Sequence, residues 1–77
     1  MNCLVVEDQT ILLDLLASVV GSFAEILNVY KADCVRQALE HSKSQALDIA
    51  ILDLALPDGE GSALGEHLLQ CHPAIKL

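Results

Sequence analysis

The chain has 77 residues, 53% of them hydrophobic, with a mean hydropathy of +0.48 and a formal charge of −7. Its four basic residues, Lys31, Arg36, Lys43 and Lys76, form no patch in sequence, which argues against nucleic-acid contact by this segment, since phosphate contacts need Lys and Arg. The longest apolar stretch, residues 11–20, is broken by Asp14 and is far shorter than the roughly 20 residues of a membrane span; residues 1–8 also lack the basic start and apolar core of a signal peptide, so a cytoplasmic, membrane-free chain is expected.

Residues 3–6, Cys-Leu-Val-Val, form the short apolar run of a buried strand, which stops at Glu7 and Asp8. Ile11, Leu12, Leu15, Leu16, Val19 and Val20 then recur at helical spacing, with Thr10 or Asp8 available as cap and Gly21 as terminator. Residues 26–30 read as a second strand. Asp33 is placed to cap a second helix running to about Lys43, with Val35, Ala38 and Leu39 facing inward. Residues 47–52 are the third strand and residues 62–71 a third helix, whose Leu64, Leu68 and Leu69 share a face. Pro73 prevents that helix from continuing, and residues 75–77 look like the opening of a fourth strand.

Strand and helix alternate three times, which predicts an α/β fold with a parallel sheet and crossover helices. In doubly wound sheets of this class, ligands bind beyond the carboxyl ends of the strands, where the strand order reverses. Glu7 and Asp8 follow the first strand and Asp53 follows the third. If these strands are neighbours, about 4.8 Å apart, three carboxylates meet over one crevice. Two like charges about 4 Å apart repel by roughly 4 kcal/mol at an effective dielectric of about 20. No Lys or Arg lies in these loops to offset that repulsion. A hard divalent cation such as Mg2+, which takes one or two direct carboxylates and keeps several waters, suits them best. A single acid at a strand end would be read as a cap or a solvated terminus; the pair together with Asp53 is read as a site.

Glu7-Asp8 after an apolar strand, followed by Asp53-x-x-Leu56-Pro57-x-x-x-Gly61, resembles the receiver domain of two-component response regulators. The resemblance runs the length of the chain and implies a flavodoxin-like, doubly wound parallel sheet of strand order 2-1-3-4-5. Residues 1–77 would make up strands one to three, helices one to three and the start of strand four. It implies that Asp53 is the phosphoacceptor, forming an acyl phosphate from a phosphohistidine. It further implies that Mg2+ is held by Asp8, Asp53 and the backbone carbonyl of Ala55, with Glu7 acting through water. Pro57 would hold Leu56 extended, while Gly59 and Gly61 would let the chain turn into the third helix. The implied partners are a sensor histidine kinase or phosphotransfer protein and an output domain. The Leu56–Gly61 loop resembles that of receivers joined to helix-turn-helix transcription factors, which would make the output DNA-binding. The domain would be a phosphoacceptor that assists its own phosphotransfer and not a turnover enzyme.

The family's Ser or Thr after strand four and Lys after strand five would fall beyond Leu77. An edge left at an incipient fourth strand is expected to recruit a second copy of the chain. Two rival chemistries use acids above a parallel sheet. A haloacid-dehalogenase-type, Mg2+-dependent phosphohydrolase needs a second acid two residues after Asp53, and a Toprim-type nuclease needs a late Asp-x-Asp; Ala55 breaks both patterns. A receiver-like interaction module that takes no phosphate is the third alternative. Among the remaining residues, His67 and Cys71 lie four apart on one helix, too few ligands for structural zinc. His41 and His72 lie near helix ends, where a cation suits the dipole. Tyr30 and Phe23 are the only aromatics and are assigned to core packing, and Cys3, Cys34 and Cys71, odd in number and widely spaced, to buried free thiols.

Overall fold

The computed structural model describes residues 1–77, and the fold is organised around its first strand. β1 (Asn2–Val6) pairs in parallel with β2 (Asn28–Ala32) on one side and β3 (Ile49–Leu52) on the other, giving a three-stranded sheet of order β2-β1-β3. Cys3, Leu4, Val5 and Val6 are each at most 1% exposed, because a central strand with helices on both faces has no solvent side. Successive side chains point to opposite faces, so β1 feeds two cores. Leu4 and Val6 join Ala38 of α2 (Val35–Ser44) and Leu64 and Leu68 of α3 (Gly61–Cys71). Cys3 and Val5 join Leu13 of α1 (Thr10–Gly21), with Leu16, Val20, Ile26 and Val29 packed around them. Fully burying each such aliphatic side chain contributes about 1.5–3 kcal/mol.

The expected single, all-parallel, doubly wound sheet of order 2-1-3-4-5 is not formed. The two strands that follow β3 are short, β4 (Ala55–Leu56) and β5 (Gly59–Glu60), and they pair antiparallel with each other as a separate hairpin between β3 and α3. Pro57 and Asp58 form its two-residue turn, and Pro57 presets the backbone at the first of them. After α3, residues 75–77 add no strand. Lys76 makes one parallel bridge to Ile49, donating its amide to Asp48 O at 2.9 Å and accepting from Ala50 N at 2.8 Å.

Local readings also shift. The second strand begins at Asn28 and not at residue 26, and Ile26 packs beneath α1 instead. The buried stripe of α1 runs through Leu13, Leu16 and Val20, whereas Ile11 is 87% exposed and Leu15 and Val19 also face outward. Neither Asp8 nor Thr10 caps α1; Gln9 takes the N-cap position without a side-chain bond. Asp33 does not cap α2 either, because Cys34 occupies that position. Phe23 is exposed rather than in the core, while Tyr30 packs against it and donates its hydroxyl to Gln45 Oε1. Of the cysteines, only Cys3 is fully buried. An apolar groove lined by Cys3, Val20, Phe23, Ile26, Ile49 and Ile51 stays open beside α1.

Gly61 is required by close approach and not by a turn, since no glycine has positive φ. A Cβ at Gly61 would overlap the carbonyl oxygen of Asp53 and lie 2.8 Å from its carbonyl carbon. Gly61→Ala is therefore expected to destabilise the domain by at least about 1–3 kcal/mol. At Gly21 a Cβ would meet Val29 Cγ2 at an ordinary 3.6 Å, so Gly21→Ala is expected to be neutral or to gain up to roughly 1 kcal/mol. Denaturant melts of the two variants measure this opposite response.

Candidate metal and phosphoacceptor site

The site lies one residue beyond the last strand pairs. Val6 is in register with both Ala32 and Leu52, and the ladder continues for one step. Glu7 N donates to Ala32 O at 3.0 Å, and Asp53 N donates to Val6 O at 2.9 Å. These two bonds fix where the chain leaves the sheet, and so where the acids stand. Glu7, Asp8 and Asp53 each place a carboxylate oxygen within 4.8 Å of the others. Glu7 is buried, Asp53 half-buried and Asp8 exposed, so the cluster opens to solvent on the Asp8 side.

The carboxylates are not equivalent. Glu7 is pushed above the ordinary glutamate range, chiefly by a hydrogen bond shared with Asp8, with burial and Asp53 acting the same way. The amide of Gln9, 3.3 Å from Glu7 Oε2, opposes that rise. Asp53 is held below the ordinary range, first by the amide of Ala55, which donates to its Oδ1 at 3.2 Å, and then by Glu7. The two shifts run in opposite directions, Glu7 toward its protonated form and Asp53 toward its anion. No basic side chain pairs with the three acids, since the ion pairs are Lys31–Asp14 and Arg36–Glu40, on exposed surface elsewhere. Three converging oxygen donors without a protein cation fit a hard divalent ion.

The expected site residues are thus brought together: Glu7 and Asp8 from the end of β1, Asp53 from the end of β3, and Ala55 at the start of the hairpin, bound to Asp53 through its amide. Over this arrangement, the family model of the response regulator receiver domain matches residues 3–77. The chain belongs to that family. The sensory transduction protein LytT of Enterococcus faecalis is 32% identical over 68 residues, covering 88% of this chain and 28% of LytT. The receiver fold is also matched by two solved structures. The MaeR response regulator bound to beryllium trifluoride superposes with a TM-score of 0.86 at 20% identity, over 99% of this chain and 62% of that one. The non-phosphorylated HemR receiver domain of Leptospira biflexa superposes with a TM-score of 0.81 at 28% identity, over 96% and 58% of the two chains. This receiver chain therefore spans less than two thirds of each of these relatives.

Other singled-out residues stay outside the site. His67 Nε2 lies 3.6 Å from Cys71 Sγ on exposed α3, with no third ligand. His41 Nε2 bonds Lys31 O at 2.9 Å, and His72 Nε2 lies 3.0 Å from Ser42 Oγ and 3.1 Å from Ser42 O, joining α3 to α2. One residue of the site's surroundings was missed from the sequence: Asp58, whose carboxylate accepts from the amides of Val35 and Arg36. The Asp-Gly dipeptide at 58–59 is a turn signal that could have flagged the hairpin. Nothing local could have linked it to a helix 23 residues earlier.

The raised Glu7 means that ionising it costs the folded state, a penalty that appears as pH climbs above the ordinary value of 4.5 and is absent below it. Glu7→Gln is therefore expected to raise the melting temperature of the metal-free domain at neutral pH. The gain over wild type should vanish below pH 4.5. Paired thermal melts at the two pH values check this, and a destabilised variant at neutral pH would contradict it.

Proposed function

We propose that this receiver domain accepts a phosphoryl group on Asp53 from the phosphohistidine of a sensor histidine kinase or phosphotransfer protein, with Mg2+ as the required ion. The observation that carries this reading is the convergence of Glu7, Asp8 and Asp53 within 4.8 Å at adjoining strand ends, with no basic partner. In the transfer, an Asp53 oxygen bonds to phosphorus as the phosphorus–nitrogen bond of the donor breaks, and the imidazole leaves. The product is an acyl phosphate. Ionised Asp53, favoured first by the Ala55 amide and then by the hydrogen bond with Glu7, is the nucleophilic form.

Asp8, Asp53 and the Ala55 carbonyl would hold Mg2+ directly, with Glu7 reaching it through water. When bound, the ion offsets charge on the phosphoryl oxygens. Asp8, the most exposed of the three acids, stands where the cluster opens to an incoming donor. Asp53 is consumed by each transfer, so the domain assists its own phosphorylation and does not turn over a substrate. An output domain elsewhere in the protein, of the DNA-binding class, would read the phosphorylated state; the 28% of LytT that the chain spans leaves room for one in such a relative.

Asp53→Asn in the full-length protein is expected to abolish phosphate incorporation from a histidine kinase or from acetyl phosphate. Labelling of the variant at the wild-type level would overturn the assignment. Asp8→Ala is expected to weaken Mg2+ binding by about 10-fold or more, measured by calorimetric titration. Beryllium trifluoride, named as the ligand of the structurally similar MaeR, should bind the wild type in the presence of Mg2+. Failure to bind would favour an interaction module that takes no phosphate.

A further inference from the structure

Asp58 sits on the two-residue turn of the β4–β5 hairpin, far in sequence from the helix it touches. Its Oδ1 accepts from Val35 N at 2.7 Å and its Oδ2 from Arg36 N at 3.1 Å. These are the first two amides of α2, among the four that a helix cannot satisfy within itself. The helix provides no cap of its own. Cys34 stands at the N-cap with φ −156° and ψ 168°, and makes no side-chain bond. The adjoining Gly59 adds steric fit, since a Cβ there would lie 3.1 Å from Val35 Cγ2.

The other end of the hairpin is bound to the acidic site. Leu56 pairs with Gly59 and Ala55 with Glu60, so the turn and the base of the hairpin form one ladder. At the base, Ala55 N donates to Asp53 Oδ1 at 3.2 Å, and Gly61 N donates to Leu54 O at 3.0 Å. The short hairpin, bonded at its turn to the first amides of α2 and at its base to Asp53, therefore links the two, and Asp58 is the side chain that bonds those helix amides.

We infer that Asp58 is a positioning residue for the acidic site: by clamping the hairpin to the start of α2, it holds Ala55 where its amide orients the Asp53 carboxylate and where its carbonyl would be available to a bound cation. Asp58 touches neither the cation nor the phosphoryl group. The inference rests on the reading of the three acids as a Mg2+ site, and it assigns to a loop residue part of the site's affinity.

The test separates clamping from simple helix capping. In the full-length protein, Asp58→Ala is expected to lower the melting temperature and to raise the Mg2+ dissociation constant about 10-fold, the usual scale for a group that orients a ligand. Cys34→Asp, added to the Asp58→Ala variant, supplies a cap from within the helix. It should restore the melting temperature while the weakened Mg2+ binding persists. Asp58→Asn keeps one acceptor oxygen for the Val35 amide and should fall between, giving the same comparison should alanine unfold the domain. Mg2+ affinity unchanged in Asp58→Ala, or restored along with stability by Cys34→Asp, would reduce Asp58 to a helix cap and overturn the inference. A wild type without saturable Mg2+ binding would overturn the site reading itself, and the inference with it.

Discussion

The double parallel pairing of β1 is the constraint on which the rest of the molecule depends. Because β2 and β3 both align with it, its four apolar residues are closed in from both edges and both faces. The same register decides where the two site-bearing strands end. Val6 is opposite Leu52, so Glu7 and Asp53 emerge side by side, each tied to the sheet by one further backbone bond. A shift of one residue in either strand would turn every side chain to the other face. In β1 it would draw Glu7 into the sheet in place of Val6 and exchange the residues that feed the two cores. The core thus enforces the placement of the carboxylates, and the carboxylates carry a mutual repulsion that the apolar core must outweigh.

That repulsion is managed by unequal environments. Glu7, the buried member, retains a proton more readily, and Asp53 gives it up because a neighbouring amide stabilises its anion. Two like groups pushed in opposite directions are a recurrent sign of a functional cluster. A purely structural cluster would be expected to recruit a basic partner, yet Lys31 and Arg36 are spent on exposed pairs, Lys31 with Asp14 and Arg36 with Glu40. Such exposed pairs contribute little stability. The hairpin between β3 and α3 completes the arrangement by carrying Ala55 back toward Asp53. Gly61 permits this, because only a residue without Cβ can lie against the Asp53 carbonyl.

Much of this was legible in the sequence because it is encoded locally. The β-branched run of β1, the acids that end it and the isolated Asp53 are all readable over a few residues. The alternation of strand and helix is readable too, and with it a parallel sheet, whereas the adjacency of β1 and β3 follows only from the resemblance and the structure. What was not legible depends on contacts distant in the chain. The α1 sequence is apolar on more than one face, so periodicity alone could not choose Leu13, Leu16 and Val20 over Ile11 and Leu15; the position of Val5 and Ile26 chose. Local sequence points to Asp33, the nearest acid, as the cap of α2, whereas the chain uses Asp58 from the hairpin. The backbone amide of Asp33 is instead taken by Gln37 Oε1 at 2.8 Å. The expected five-stranded order was inferred by resemblance. Over these residues the last two strands form a hairpin held by a Pro-Asp turn, and only Lys76 reaches the open edge of β3.

Strand register brings acids 45 residues apart, Asp8 and Asp53, into one cluster suited to a single divalent cation. A Mg2+ titration of the metal-free protein, followed through its backbone amide resonances, tests it most directly. Saturable binding to one site is predicted, with the largest shifts at residues 7–9 and 53–55 and smaller ones along the hairpin to Asp58. Shifts that never saturate, or that spread evenly over exposed acids such as Asp14, Glu40 and Asp48, would contradict it.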